Sequence, residues 1–381
     1  MRNLMMSALL LSCAALSEAQ EIASDSTAIS NSNSRTAETS QTSVTPNSEA
    51  NKGTNIGMNL GSNFTVNVHG TVRGKFEWQP DADAARFEVR NARFSLSGNI
   101  TPMVTYKAEI DLCDESSMKM LDAYGRVTGK RSGVSVTIGQ MRVPFTIDAH
   151  RSPHEQFFAN RSFLAKQVGN VRDVGAAIKW DKPFGAPLTL EGGIFNGSGL
   201  TNQKNFWTDD FNCSAKAKVK MGKSLTATAS YQKTHPGPED IRMFGAGVTF
   251  DNSRWQAEAE YLRKNYDHDS YDGVNTFDIF ACYNQPVRRM FQKISYLVRW
   301  DFMSNHSNGT ASVDTDGDGV NDALTTNDPQ RNRITGGATF SFGAPFRADL
   351  RLNYEHYFYK ANVTPAVSEQ SKLVVELMVR F

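Results

Sequence analysis

One acidic loop of this chain has the spacing of a calcium-binding loop. Side-chain oxygens stand at positions one, three, five and nine, with Gly at six and a backbone carbonyl at seven. In that order these residues are Asp314, Asp316, Asp318, Asp322, Gly319 and Val320. Thr325 takes the twelfth position, where such loops carry a bidentate Glu. The spacing therefore predicts weak calcium binding, with a Kd of about 10⁻⁴ to 10⁻³ M, and the alternative is an acidic loop that binds no ion.

A row of lysines is the second pattern that could bind ions. Lys216, Lys218 and Lys220 occupy alternate positions of one predicted strand, so they share one face. Neighbours on that face lie about 7 Å apart, where repulsion in water is only about 0.6 kcal/mol before salt screening. Such a row either guides anions or is simply solvated, and so small a cost leaves both interpretations open.

These residues belong to a long series of period-two segments that starts at residue 63. We count sixteen of them, and turn residues separate each from the next. Their approximate ranges are 64–78, 86–100, 104–112, 119–129, 133–142, 171–180, 188–196, 211–221, 225–233, 241–251, 254–263, 277–284, 291–302, 331–342, 347–359 and 372–381. In the last segment every second residue is apolar up to the terminal Phe381, while Lys372, Glu376 and Arg380 share the opposite face.

The connections between the segments alternate in length. Those after even-numbered segments are tight turns, and those after odd-numbered segments are mostly longer, the longest running from Met303 to Gln330. A soluble sheet could show the same alternation of side chains, but it has no reason to gather its long loops at one end. The pattern predicts an all-β protein, a sixteen-stranded antiparallel transmembrane β-barrel.

The loop after the fifth segment, from Pro144 to Asn170, is too long for a hairpin. Ser152 to Glu155 forms a capping box with Pro153 at the first helical position, which predicts a short helix. The same loop carries apolar anchors at Phe157, Phe158, Phe163 and Leu164. It is therefore predicted to fold inward and to form the constriction of the pore.

The ends and the composition agree with an exported membrane protein. Residues 1–19 read as a signal peptide, 20–62 as a polar disordered periplasmic arm and 63–381 as the barrel. After residue 19 the sequence has no run of about 18 apolar residues, which a transmembrane helix would need. A net charge of +1 excludes a polybasic nucleic-acid binder. Cys113, Cys213 and Cys282 are widely spaced, so we expect them to be unpaired or to form at most one disulfide.

Four stretches resemble the phosphate-selective porins of the Gram-negative outer membrane, those related to porins O and P. They are RFEVRNARFSLSGNI, LDAYGRVTGKRSG, TIGQMRVPF and NRSFLAKQVGNVRDVGAAIKW, and the resemblance covers about Gly70 to Gly199. It implies a homotrimeric channel for anions such as phosphate, embedded in outer-membrane lipid. In that family selectivity rests on ladders of Arg and Lys, whereas acids interrupt the basic residues here.

We therefore expect a porin that passes small hydrophilic solutes, with some preference for anions. The candidate constriction and anion-binding residues are Arg151, Arg161, Lys166, Lys216, Lys218, Lys220, Arg126 and Lys107. The sequence contains no GxSxG or HExxH motif, so no enzyme is expected and no cofactor beyond the possible calcium. The alternatives are a general diffusion porin without a phosphate site, and a structural or adhesive barrel whose pore is plugged.

Overall fold

A computed structural model describes most of the chain from residue 56 onward. The described residues are 56–59, 64–114, 117–168, 171–200, 203–235, 240–267, 271–287, 290–306, 328–344, 347–360 and 363–381. The predicted signal peptide, most of the predicted arm and the calcium-like loop lie outside these ranges.

Seventeen strands make up almost all of the regular structure in the described residues. Their bounds are β1 Ile56–Asn59, β2 Thr65–Gln79, β3 Ala84–Asn99, β4 Val104–Asp114, β5 Ser117–Thr128, β6 Val134–Arg142, β7 Arg172–Asp181, β8 Leu188–Phe195, β9 Asn212–Met221, β10 Leu225–Thr234, β11 Ile241–Asp251, β12 Trp255–Tyr266, β13 Val274–Pro286, β14 Lys293–Met303, β15 Arg331–Ser341, β16 Ala348–Tyr359 and β17 Lys372–Arg380.

The strands β2 to β17 form a closed antiparallel barrel of sixteen strands, as the sequence predicts. Each pairs with the next, and β17 returns to β2 in a register that joins Leu373 to Trp78 and Arg380 to Thr71. Closure pairs every strand on both sides and so leaves no open edge.

The short strand β1 differs from expectation, because it lies within the predicted disordered arm. It pairs with the beginning of β2, from Ile56 opposite Val68 to Asn59 opposite Thr65. The last residue of the chain, Phe381, exchanges backbone hydrogen bonds of 3.0 and 3.1 Å with Gly70. The first residues of β2 extend beyond that point, and β1 supplies the hydrogen bonds that β17 is too short to make.

The two faces of the barrel wall differ as the alternation predicts. Outward side chains such as Val72, Trp78 and Leu377 are exposed, whereas Arg73 and Glu376 on the inner face are at most 2% exposed. An apolar outer face matches the hydrocarbon of a bilayer, because Lys or Arg at the midplane would cost about 2 to 4 kcal/mol each.

The connections also alternate as predicted. Residues 100–103, 129–133, 222–224 and 252–254 are tight turns at one end of the barrel, whereas residues 143–171 and 304–330 are long connections at the other. This is the arrangement of short periplasmic turns and long external loops in outer-membrane barrels.

β-Bulges interrupt two neighbouring hairpins, β2–β3 and β4–β5. Arg73 pairs with Asn91 and Gly74 with Val89, so Arg90 is an extra residue in β3. Glu109 pairs with Asp122 and Ile110 with Met120, so Leu121 is an extra residue in β5. A bulge re-aims the side chains beside it, which matters for the cavity described below.

The long connection between β6 and β7, which we call the inner loop (residues 143–171), contains the described helical turns that bear on the site. Pro153–Glu155 is one 3₁₀ turn, and the Ser152 N–H donates to the Glu155 carboxylate at 2.8 Å, as the capping-box sequence predicts. The helix α1, Phe163–Gln167, begins where the Ser162 hydroxyl accepts the Ala165 N–H. No helix among the described residues is long and apolar enough to cross a membrane.

Candidate functional site

The inner loop lies against the inner face of the barrel, and inward side chains of several strands hold its backbone. Glu260 of β12 accepts the N–H groups of Ile147 at 2.5 Å and Asp148 at 3.0 Å. Four strands further round the wall, Asn353 of β16 accepts the Ala159 N–H at 2.9 Å. Backbone carbonyls of the loop accept from four inward arginines, Arg73, Arg299, Arg333 and Arg351. A segment held from such distant strands must cross the interior.

The apolar anchors of the inner loop pack on the same inner face. Phe158 contacts Phe280, Cys282 and Leu297 of β13 and β14. Phe163 packs with Val274, Met303 and Tyr357, and it is fully buried. These contacts fix the loop by burial of apolar area in addition to hydrogen bonds.

Arg151, a predicted anion site on the loop, is neutralised by acids. Its guanidinium pairs with Glu258 and with Asp148, and it lies 5.0 Å from the centre of the Phe157 ring. Burial alone would lower the pKa of Arg151, but the Glu258 carboxylate outweighs it and raises the pKa. Arg151 therefore anchors the loop to β12, and this contact leaves little of its charge for a passing anion.

Arg161 has a different environment. Its two terminal nitrogens donate to the carbonyls of Asp148, Ala149 and Arg151 at 2.9 to 3.2 Å, and among the described residues it pairs with no carboxylate. Burial lowers its pKa to about 10; the nearby Asp148 opposes this, while Arg93, Arg73 and Arg90 lower it further. Arg161 is thus a charged group in a positive environment, as an anion site requires.

Lys166 is the third predicted residue of the loop, in the last turn of α1. Its side chain is exposed, and within the described residues it has no hydrogen-bond or ion-pair partner. The surrounding protein and the neighbouring charges of Arg333 and Arg331 lower its pKa to about 8, although Glu369 opposes them.

The lysine row on β9 does not form a uniform track. Lys216 is buried and donates to the carbonyl of Thr146 in the inner loop. Lys218 lies 3.4 Å from Glu191, and Lys220 is exposed next to the turn that follows β9. The three residues therefore have three different environments.

The remaining wall candidates are also engaged. Lys107 lies between Glu109 at 2.8 Å and Asp122 at 2.7 Å. Arg126 donates to the Thr137 hydroxyl at 2.9 Å, and its guanidinium lies 5.2 Å from the Tyr124 ring. Anion binding by these residues stays a prediction.

A cavity of about 260 Å³ lies between the inner loop and the strands β2 to β5. We call it the arginine cavity, because Arg73, Arg90, Arg93 and Arg161 line it, together with Lys119; Asp111 is the one lining acid among the described residues. Strict alternation would place Arg90 and Arg93 on opposite faces, since they are three residues apart. The bulge at Arg90 brings both to the cavity, which is why sequence reasoning missed them.

The four guanidiniums differ in how fully they are neutralised. Arg73 uses every N–H group, on Glu376, Asn91, Gln156 and Ala159. Arg93 pairs with Asp111 at 2.9 Å and Glu109 at 3.4 Å. Arg90 has only a 3.5 Å contact with Glu88, and Arg161 has no carboxylate partner among the described residues. Within the part of the chain that the structure describes, two positive charges of the cavity are therefore largely uncompensated.

A second charged cluster lies at the outer ends of β9 to β11. Ligand atoms of Asp210, His235 and Asp240 lie within 4.8 Å of one another, a spacing that could hold a metal ion. The Lys233 ammonium, however, lies 2.9 Å from both carboxylates. It already supplies the positive charge that this cluster needs.

Comparison with known proteins adds a family and a fold. Residues 63–236 match the family described as phosphate-selective porin O and P. The chain matches no curated protein sequence significantly.

Solved structures of outer-membrane proteins have a similar fold. The outer membrane channel DcaP of Acinetobacter baumannii is 14% identical, with a TM-score of 0.58 over 85% of this chain and 99% of that chain. An anion-selective porin from Comamonas acidovorans is 12% identical, with a TM-score of 0.54 over 83% and 99%. OmpT of Vibrio cholerae, solved in a trimer form, is 9% identical, with a TM-score of 0.56 over 84% and 99%. At such identities the similarity is one of fold.

Proposed function

We propose that this chain, whose residues 63–236 match the family described as phosphate-selective porin O and P, is an outer-membrane porin that forms a water-filled, anion-preferring pore. Small hydrophilic solutes diffuse passively through it, and phosphate is among the anions it favours. The observation that carries this proposal is the arginine cavity, where Arg90 and Arg161 are largely uncompensated.

The mechanism follows from electrostatics inside a low-dielectric wall. A basic cavity raises the local concentration of anions, and the inner loop narrows the route so that solutes pass close to it. Flux also requires that each site releases its anion, so binding must be weak. Lys166, which has no hydrogen-bond or ion-pair partner among the described residues, offers a further positive group on the same loop. Diffusion of this kind needs no catalysis, and we infer that the protein is not an enzyme.

Reversal potentials in a KCl gradient test the anion preference. We expect the reversal potential of the purified protein in planar bilayers to have the sign of the chloride equilibrium potential. Replacing both Arg90 and Arg161 with Gln should move it towards zero, because the two uncompensated charges are removed. Arg131→Gln is the matched control, since Arg131 is exposed in the tight turn between β5 and β6. Cation preference of the unmodified protein would refute the proposal.

A plugged structural barrel is the second candidate, and the packing of the interior favours it. Inward charges such as Asp301, Glu355 and Glu376 have no exposed surface, because the inner loop covers them. A barrel without a continuous water path would give no conductance steps in planar bilayers.

We also propose that the functional unit is a homotrimer in outer-membrane lipid. The similar OmpT of Vibrio cholerae was solved in a trimer form. Crosslinking in native membranes should then give a band at three times the mass of the protomer, and a monomer band alone would contradict the proposal.

A further inference from the structure

The arginine cavity has unused hydrogen-bond donors on three guanidiniums. Among the described residues, Arg161 leaves its Nε unused, Arg93 leaves Nη2 unused, and Arg90 makes only one long contact through Nη1. A guanidinium presents its N–H groups as a planar fork that fits a carboxylate or phosphate with two parallel hydrogen bonds. The cavity therefore offers donors that the protein itself does not use.

The unused donors occur together with an excess of charge. Arg73 and Arg93 have close carboxylate partners, whereas Arg90 and Arg161 bring two charges that acids hardly compensate. Glu88, the acid that contacts Arg90, is shared with Lys75 and Arg86. A ligand with two negative charges would balance the charges of Arg90 and Arg161.

The remaining lining is mixed, because Asn91, Lys119 and Gln156 are polar and the other residues are apolar. Leu121, Pro153, Ala159 and Leu200 border the cavity, and Leu121 reaches it because of the bulge in β5. A bare inorganic phosphate is only a few times the size of a water molecule, which occupies about 30 Å³, whereas the cavity measures about 260 Å³. Inorganic phosphate would leave most of the cavity volume unfilled and would not contact the apolar residues of the lining.

We infer that the arginine cavity binds a small organic dianion. Its oxyanion head group lies against Arg90, Arg93 and Arg161, and its short apolar body lies against Leu121, Pro153 and Leu200. This inference rests on the proposed anion preference and narrows it to a class of solute. Because a guanidinium fork donates equally well to carboxylates and phosphates, the test includes both head groups.

Cys113 provides a reporter inside the cavity. It is a free cysteine that lines the cavity, and its thiol donates to the Val89 carbonyl at 3.0 Å. In a background with Cys213→Ser and Cys282→Ser, its rate of modification by a negatively charged methanethiosulfonate is measured in detergent or vesicles. A ligand in the cavity slows this reaction, so half-protection gives an apparent Kd without any measurement of current.

We expect phenyl phosphate and phenylmalonate to protect Cys113 at concentrations at least tenfold below that of inorganic phosphate. Tenfold corresponds to about 1.4 kcal/mol, which contact of part of the ring with the apolar lining can supply. Neutral phenol should not protect, because it lacks the charges that the guanidiniums bind. Equal or weaker protection by both aromatic dianions, or no protection by any anion, would overturn the inference.

Three variants separate the two halves of the site. Arg161→Gln should weaken protection by every anion, whereas Leu200→Ser should reduce only the advantage of the aromatic dianions. Arg131→Gln, in a turn outside the cavity, should change neither. Reversal potentials of the same preparation keep this inference distinct from the proposed function. Anion preference without an advantage for aromatic dianions would overturn the inference alone, and cation preference would overturn the proposed function.

Discussion

Replacing Glu376 with Gln should destabilise the seam that closes the barrel. Glu376 of β17 is fully buried and pairs with Arg73 of β2 and with Arg351 of β16, both at 2.5 Å. The substitution keeps the shape of the side chain, removes its charge and replaces one of the two acceptor oxygens with an NH2 donor. Two buried guanidiniums then face each other without the carboxylate between them.

The size of the effect follows from the two ion pairs. At an effective dielectric constant of about 20, opposite charges about 4 Å apart attract by about 4 kcal/mol per pair before the cost of desolvation. Experiments that break buried pairs typically show a net loss of about 3 to 5 kcal/mol. Arg73 and Arg351 also donate to the carbonyls of Ala159 and Gln156, so the inner loop should loosen at the same time.

Guanidinium unfolding in lipid vesicles, followed by tryptophan fluorescence, measures this loss. The matched control is Asp181→Asn, since Asp181 pairs with Lys179 at 2.8 Å but both side chains are more than 40% exposed. Such an exposed pair contributes about 0 to 1 kcal/mol. A loss for Glu376→Gln no larger than that of the control would refute the reasoning.

Three further predictions concern charge, the inner loop and the backbone. The pKa of Lys166, lowered to about 8 by the surrounding protein and by Arg333, implies that its charge is present below pH 8 and lost above it. Anion preference, measured as reversal potential from pH 6 to 10, should therefore fall as pH rises through about 8, and Lys166→Met should abolish that step. Asp148 accepts from the Ser162 hydroxyl at 2.7 Å and pairs with Arg151. Asp148→Asn should therefore release the inner loop and increase the noise of the open-channel current. Unchanged noise would contradict this prediction. Gly139 has φ of +128°, and a Cβ there would lie 2.3 Å from the Ala123 carbonyl oxygen. Gly139→Ala should therefore lower the free energy of unfolding by at least about 1 to 3 kcal/mol. A loss below about 0.5 kcal/mol in the same unfolding assay would argue against strain at this position.

Much of the fold is predictable from the sequence, because its signals are local. Period-two alternation and turn residues predicted sixteen strands, the two faces of the wall and the alternation of loop lengths, all of which the structure confirms. The strand β1 was missed, since four residues within a polar stretch carry too little pattern of their own. They pair with β2 because β17 does not reach the first residues of β2, and that mismatch exists only in the closed barrel.

The candidate site was predicted less completely, because its parts come from distant segments. Lys216 was correctly placed on an inner face. Only the folded inner loop shows that its ammonium donates a hydrogen bond to the backbone carbonyl of Thr146. Arg161 was selected from the loop, but its neighbours Arg90 and Arg93 were not, because a bulge changes which residues share a face.

The sequence by itself therefore determined the barrel, its membrane-facing surface and the polar character of its interior. Each of these depends on residues two apart or on a turn of a few residues. Only the tertiary structure decided which inward charges are neutralised and which remain available to a solute. Neutralisation depends on hydrogen bonds and ion pairs between residues as far apart in sequence as Arg73 and Glu376. A local sequence pattern cannot predict such contacts, because they form only when the barrel closes.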